Sequence, residues 1–126
     1  MYVYFNPNPA RRVTSDCVIR AVCKLMDIDW DTAFLKLSYI AFIKKDSIEK
    51  GHVWGDFLKL NGYRRGHIPD SCPDCYTVEN FCVDHPKGRY LLRIDGMVSG
   101  HVVTVVDGDY YDTWESGGET VEYFYY

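Results

Sequence analysis

Long apolar runs are missing from this sequence: nowhere do apolar residues continue for the roughly eighteen positions that a membrane-crossing helix needs, so no membrane partner is expected. Positive charge is scarce too. Fourteen Lys and Arg against eighteen Asp and Glu leave a formal charge of −4, and the basic residues gather only in doublets, Arg11-Arg12, Lys44-Lys45 and Arg64-Arg65. Nucleic-acid affinity rests on clustered cations that track phosphates, so these doublets read as solvated edges and no nucleic-acid partner is expected. The stretch Met1 to Pro7 has neither a positive region nor an apolar core of the kind a secretion signal carries, which makes a cytoplasmic location the expectation. Five cysteines, an odd number, then favour reduced thiols over a disulfide framework. Internal repeats and low-complexity linkers are absent as well. A length of 126 residues is near the usual size of one domain with one hydrophobic core, so residues 1–126 are expected to form one domain.

Aromatics, by contrast, are abundant: eleven tyrosines, six phenylalanines and three tryptophans, several of which should line a groove or a contact surface. Residues 1 to 13 read as extended, because Asn-Pro-Asn-Pro biases the backbone away from helix before each proline. Thr14 or Ser15 can cap a helix running to about Met26, whose apolar residues cover most of its circumference and leave only Arg20 and Lys24 wet. Asp29 can cap a second helix. Trp30, Phe34, Leu37 and Ala41 recur there at helical spacing, and Tyr39, Ile40, Phe42 and Ile43 widen the stripe until the helix is expected to pack on two sides. A shorter helix near Val53 to Leu60 stops at Asn61-Gly62, and another starts at Thr77 and ends before His85.

From Arg89 the period becomes that of strands: 89–95, 101–106, 109–115 and 120–126, with Asp107-Gly108 as a two-residue hairpin turn. The aromatic end, Tyr123 to Tyr126, forms the last strand, and as an edge it could recruit a partner strand. The expected fold class is therefore α+β, with amino-terminal helices, one of them central and buried, packed on a carboxyl-terminal antiparallel sheet.

Three local contexts carry the chemistry. Cys17 follows Ser15-Asp16 at a helix start, where unsatisfied amides and the helix dipole favour a thiolate, and its own N–H could face a developing oxyanion. His101 opens a strand after the glycine-containing stretch 96–100. The Asp107-Gly108 turn sets Val106 opposite Asp109, which makes Asp112 the same-face diagonal neighbour of His101. Glu115 points to the other face in that register and becomes the alternative orienter if the loop is longer or bulged. Nucleophile, base and orienter in this order suit amide-bond chemistry that needs no cofactor and no metal. A cysteine is also among the commonest core residues, and a strand histidine is often a satisfied polar group, so the packing reading of each stays open.

The stretches Ser-Asp-Cys-Val-Ile-Arg-Ala and Gly-His-Val-Val-Thr-Val-Val-Asp-Gly, with Tyr-Asp-Thr-Trp after them, resemble the papain-like cysteine peptidase superfamily, particularly its small bacterial and phage members of the C39-like and NlpC-like kind. The likeness spans residues 14 to 116. It implies a papain-like fold, with Cys17 as nucleophile, His101 as base, Asp112 as its orienter and a peptide or protein as substrate. Such enzymes usually place a glutamine several residues before the nucleophile as an oxyanion donor. Here that region reads Pro9-Ala10-Arg11-Arg12-Val13, and Asn8, or Asn6, is the amide that could take the role if the extended segment folds back.

Cys72-Pro73-Asp74-Cys75 with Cys82 and His85 is a competing pattern that could close a tetrahedral zinc. Its ligand pairs are joined by a very short loop, and Cys82 fits the apolar face of a short helix beside Val78 and Phe81, so convergence on a metal is not expected. His52 and His67 read as surface residues. Three functional readings follow: a small thiol hydrolase acting on a peptide, isopeptide or side-chain amide; a catalytically weak or inactive papain-like scaffold that binds a protein partner as inhibitor or adaptor; and, were the cysteine cluster to bind metal after all, a zinc-stabilised adaptor.

Overall fold

The computed structural model describes residues 1–68, 76–95 and 100–126. In chain order these form β1 (Tyr2–Tyr4), α1 (Cys17–Met26), α2 (Trp30–Lys44), α3 (Gly51–Leu60), β2 (Arg65–Gly66), α4 (Val78–Asp84), β3 (Arg89–Asp95), β4 (His101–Val106), β5 (Asp109–Asp112) and β6 (Thr120–Tyr125). The architecture is α+β. Among the described residues it comprises four helices and one six-stranded mixed sheet in the order β1-β5-β4-β3-β6-β2.

Two residues set the register on which everything else depends. Asp107 (φ 50°) and Gly108 (φ 81°) both take the left-handed conformation, which gives the primed two-residue turn whose twist suits a hairpin. Val106 therefore faces Asp109, Val105 faces Tyr110 and Thr104 faces Tyr111. β3 runs antiparallel to both β4 and β6, with a bulge between Arg93 and Ile94 on the β6 side.

The sheet departs from the all-antiparallel, carboxyl-terminal arrangement expected from the sequence. β1 lies parallel to β5, Tyr2 beside Tyr110, and β2 pairs with β6, Arg65 opposite Tyr125. Strands of three and two residues are too short to show a period, and their partners lie far along the chain. β6 is accordingly flanked on both sides and does not form the sheet edge.

Period-two alternation sends side chains to two cores. Leu91, Val102 and Tyr125 join α1, α2 and α3 on one face, where Val22, Leu25, Leu37 and Trp54 are fully or almost fully buried. Leu92, Ile94, Val103 and Val105 meet Val78 and Phe81 of α4 on the other. The Thr77 side chain accepts the Asn80 N–H while Asn80 reaches back to the Thr77 N–H, a reciprocal cap that starts α4.

α1 is the central helix. Its buried residues run from Val18 to Leu25, and Thr104 of β4 donates a hydrogen bond to the Ala21 carbonyl at 2.7 Å, fixing the height of helix against strand. Two expectations about α1 need correction. Its N-cap is Asp16, not Thr14 or Ser15, so Cys17 is its first residue; and Arg20, read as wet, is only 4% exposed.

α2 begins as expected, the Asp29 carboxylate accepting the Thr32 N–H at 2.7 Å. It does not pack on two sides. Only Ala33 and Leu37 are buried, whereas Leu35, Tyr39, Phe42 and Ile43 are each more than half exposed. α1 and α3 take the inner face, where Ile40 packs partly buried, and the other apolar residues that widened the stripe, Tyr39, Phe42 and Ile43, point outward instead.

Candidate active site

The site forms where α1 starts, β4 starts and β5 ends. Asp16 caps α1 through its backbone alone: its carbonyl accepts the Arg20 N–H at 2.8 Å, while its carboxylate makes no capping bond. The first-turn amides, that of Cys17 included, are thus left without a side-chain cap. They supply positive potential and donor capacity beside the half-buried Cys17 thiol.

His101 Nε2 lies 2.6 Å from Asp112 Oδ2. That contact takes one ring nitrogen and leaves Nδ1 free for the thiol, which lies close enough to the His101 side chain and the Val102 backbone for both to favour its thiolate. Asp112 is fully buried and held from four directions. Oδ2 accepts from His101 and from Ser116 Oγ (2.7 Å), and Oδ1 accepts from the Thr113 N–H (2.7 Å) and from Arg20 Nη2 (3.0 Å). A carboxylate so bound cannot swing, and it fixes both the tautomer and the plane of the imidazole.

Arg20 extends this network inward. Its Nη1 donates to Asp16 Oδ1 at 2.7 Å, and Trp30 Nε1, at the start of α2, donates to Asp16 Oδ2 at 3.0 Å. Two buried carboxylates therefore share one buried guanidinium. Trp114 leans on the imidazole, ring centroids 5.2 Å apart and planes tilted by 43°.

The electrostatics run one way. Burial pushes the Cys17 thiol up, but the hydrogen bond and charge of His101, the Val102 backbone and Arg20 outweigh it and leave the thiol below its ordinary value. Burial alone would lower His101; the bonds and charges of Asp112 and Cys17 reverse this and raise it to about 9. Asp112 would also be raised by burial, yet its bond to His101, the imidazolium charge, Ser116 and Arg20 hold it below the usual carboxylate range. Each shift favours thiolate beside imidazolium beside carboxylate. Cys23, buried one helical turn and a half further on, is pushed up to about 12 by burial and by Asp29 and Asp16, and Cys82 to about 11 chiefly by burial.

The structure thus brings Cys17, His101 and Asp112 together. Glu115 is not at the imidazole: it is exposed and lines a separate hollow of about 580 Å³ with Glu79 and Tyr110. Asn8 is buried in a turn, its carbonyl accepting the Arg11 N–H and its side-chain oxygen accepting the Ala10 N–H at 2.9 Å, which leaves the amide NH2 as its donor. No hydrogen bond joins Asn8 to Cys17 or His101 among the described residues. Asn6 donates to the Arg12 carbonyl.

Cys72 and Cys75 lie outside the described residues. Of their proposed companions, Cys82 is buried on the inner face of α4, and His85 stacks on Phe81 at 3.8 Å between centroids with Nδ1 3.0 Å from the Phe81 carbonyl. His52 sits on the surface against Asp46 at 2.6 Å.

Sequence reasoning missed Arg20, Asp16, Ser116 and Trp30. The spacing of Asp16 and Arg20, one helical turn apart, was the one local signal available; the partner that buries Arg20 lies 92 residues away. No protein-family model matches this sequence, and no curated protein or solved structure matches it either.

Proposed function

We propose that this chain is a papain-like thiol hydrolase that cleaves an amide bond of a peptide or protein, with Cys17 as nucleophile, His101 as acid and base, and Asp112 as the group that orients and charges His101. The observation that carries the reading is the contiguous thiol–imidazole–carboxylate line with its carboxylate fully buried and four times hydrogen-bonded.

Cys17 thiolate attacks the carbonyl carbon, and the first-turn amides of α1 stabilise the oxyanion that develops. Collapse of the tetrahedral adduct breaks the C–N bond as His101 gives its proton to the leaving amine, leaving a thioester and a neutral imidazole. Water then attacks the thioester as His101 takes one of its protons, and the C–S bond breaks with the sulfur leaving as thiolate, so the carboxylic acid product is released and the thiolate–imidazolium enzyme is regenerated. The buried amide of Asn8 is a further candidate donor to the oxyanion.

Alkylation of Cys17 by iodoacetamide as a function of pH, read by peptide mass, tests the reading. Because the thiol is lowered and the imidazole raised to about 9, the pair exists as thiolate and imidazolium from the lowered thiol value up to about 9. Cys17 should therefore react at a lower pH than Cys23 and Cys82, which stay protonated where Cys17 is already a thiolate. His101→Ala should slow alkylation at low pH more than at high pH, and Asp112→Asn should bring the upper limit down from about 9. Equal rates at Cys17 and Cys23 across the range would reject the nucleophile and leave the inactive, partner-binding scaffold as the better account.

A further inference from the structure

We infer that α2 is the seam of an antiparallel, two-fold symmetric dimer of this chain. The outward side of α2 carries Asp31, Leu35, Ser38 and Phe42, spaced by four, three and four residues, the interval that keeps one stripe of a helix facing a partner helix, and the C-cap residue Lys45 extends that stripe by lying over Phe42. Leu35 is 67% and Phe42 68% exposed, flanked by Tyr39 and Ile43, while Leu60 of α3 continues the apolar surface past Leu35 and Tyr39.

The ends of the stripe differ in sign. Asp31 stands in the first turn, and Lys45 closes the last with its Nζ 4.0 Å from the Phe42 ring centroid, so the cation lies on the stripe itself. Neither makes an ion pair among the described residues. Laid antiparallel about Ser38, two copies set Asp31 against Lys45 twice, Leu35 beside Phe42 twice, and the small Ser38 side chains on the axis, where helices can approach closely. A parallel pair would set like charges together at both ends. Charge complementarity therefore selects both the occupant, a second copy, and its direction.

Size agrees with this. Leu35, Tyr39, Phe42, Ile43 and Leu60 leave on the order of 600 Å² exposed per protomer if a whole side chain is taken as about 200 Å². Two such faces come to about 1,200 Å², the lower edge of the range for specific interfaces. About 600 Å² is at the upper end of what a monomer's largest apolar patch commonly reaches.

Sedimentation velocity over about 1 to 200 μM, a span suited to a micromolar Kd, tests the inference. The wild-type chain should pass from monomer to dimer within that span. Phe42→Asp should weaken dimerisation by about tenfold or more, as removal of a central aromatic contact does. Lys45→Glu should weaken it about fivefold, since symmetry doubles each unfavourable pair, and the double variant Asp31→Lys/Lys45→Glu should restore it. In a parallel dimer Lys45→Glu would exchange one like pair for another and change little. Leu35→Gln, a polar change at a solvent-facing helical position, repeats the Phe42→Asp experiment should that variant fold poorly; thermal melts and Cys17 alkylation report folding throughout. A monomer across the whole range, a dimer indifferent to both Phe42→Asp and Leu35→Gln, or failure of the double charge swap to restore association would each overturn the inference. None of these outcomes bears on whether Cys17 is a nucleophile.

Discussion

Arg20 is where residue-level reading and structure part most sharply. On an isolated helix a guanidinium is taken for a solvated edge; here it is buried because two carboxylates, Asp16 one turn back and Asp112 on β5, neutralise it from opposite sides. Net charge says how much of each sign is present, not which charges are compensated in the interior. Removing the guanidinium should be costly for that reason. Arg20→Met should lower stability by about 3 kcal/mol or more, because it leaves buried carboxylates without their counter-charge. Arg20→Lys keeps the charge but loses the fork that reaches both carboxylates, and should fall between. Chemical denaturation checks both. At Arg20→Lys the pH at which the imidazolium is lost, seen as a second step in the Cys17 alkylation profile, should also move, which a purely structural role would not cause. Cys17, His101 and Asp112 were legible because each depends on a local cue: a helix start, a strand start, and a two-residue turn that fixes which residues are diagonal neighbours. Glu115 stayed open as the alternative for a longer or bulged loop, and the observed register through the two-residue turn sets it aside.

At the scale of elements, the helix and strand cores of the chain were readable and their surroundings were not. Asp29, Thr77 and Asp107-Gly108 act on residues within a few positions, so α2, α4 and the β4–β5 hairpin follow from sequence. Whether a helix is covered on one face or two depends on how many neighbours reach it, and α2 receives two on the same side. The joint between α1 and β4 depends on one hydroxyl. Thr104→Val should cost about 1 to 2 kcal/mol and slow Cys17 alkylation, since the bond to the Ala21 carbonyl holds Cys17 and His101 at one height. Gly66 makes the other close joint: a Cβ there would lie 2.2 Å from the Phe124 ring, with no space for both. Gly66→Ala should displace β2 from β6 and lower stability by about 1 to 3 kcal/mol, measurable by thermal melting, while Cys17 reactivity, on the far side of the sheet order, should persist.

Over the whole molecule, the chain brings its first strand back beside a strand near its end. The Phe5 N–H donates to the Asp112 carbonyl at 2.9 Å, so the segment after β1 is tied to the residue that orients His101. Substituting Val3 with proline, which removes the one N–H between the Met1 and Phe5 bonds that faces β5, should loosen β1 from β5 and lower both melting temperature and Cys17 reactivity together. Parallel pairing across more than a hundred residues leaves no trace in local sequence pattern, which is why this closure was not foreseen. The buried network around the site has one more property, concerning how charge is distributed in time. Asp16, Arg20 and Asp112 sum to one fixed negative charge. In the proposed reaction thiolate and imidazolium sum to zero, oxyanion and imidazolium sum to zero, and thioester with neutral imidazole sum to zero again. The interior therefore sees the same total charge at every stage, and only the position of one proton changes. A fixed set of dipoles and ions can serve all stages without rearranging, so the burial that makes this cluster expensive to assemble also spares it any electrostatic readjustment during turnover.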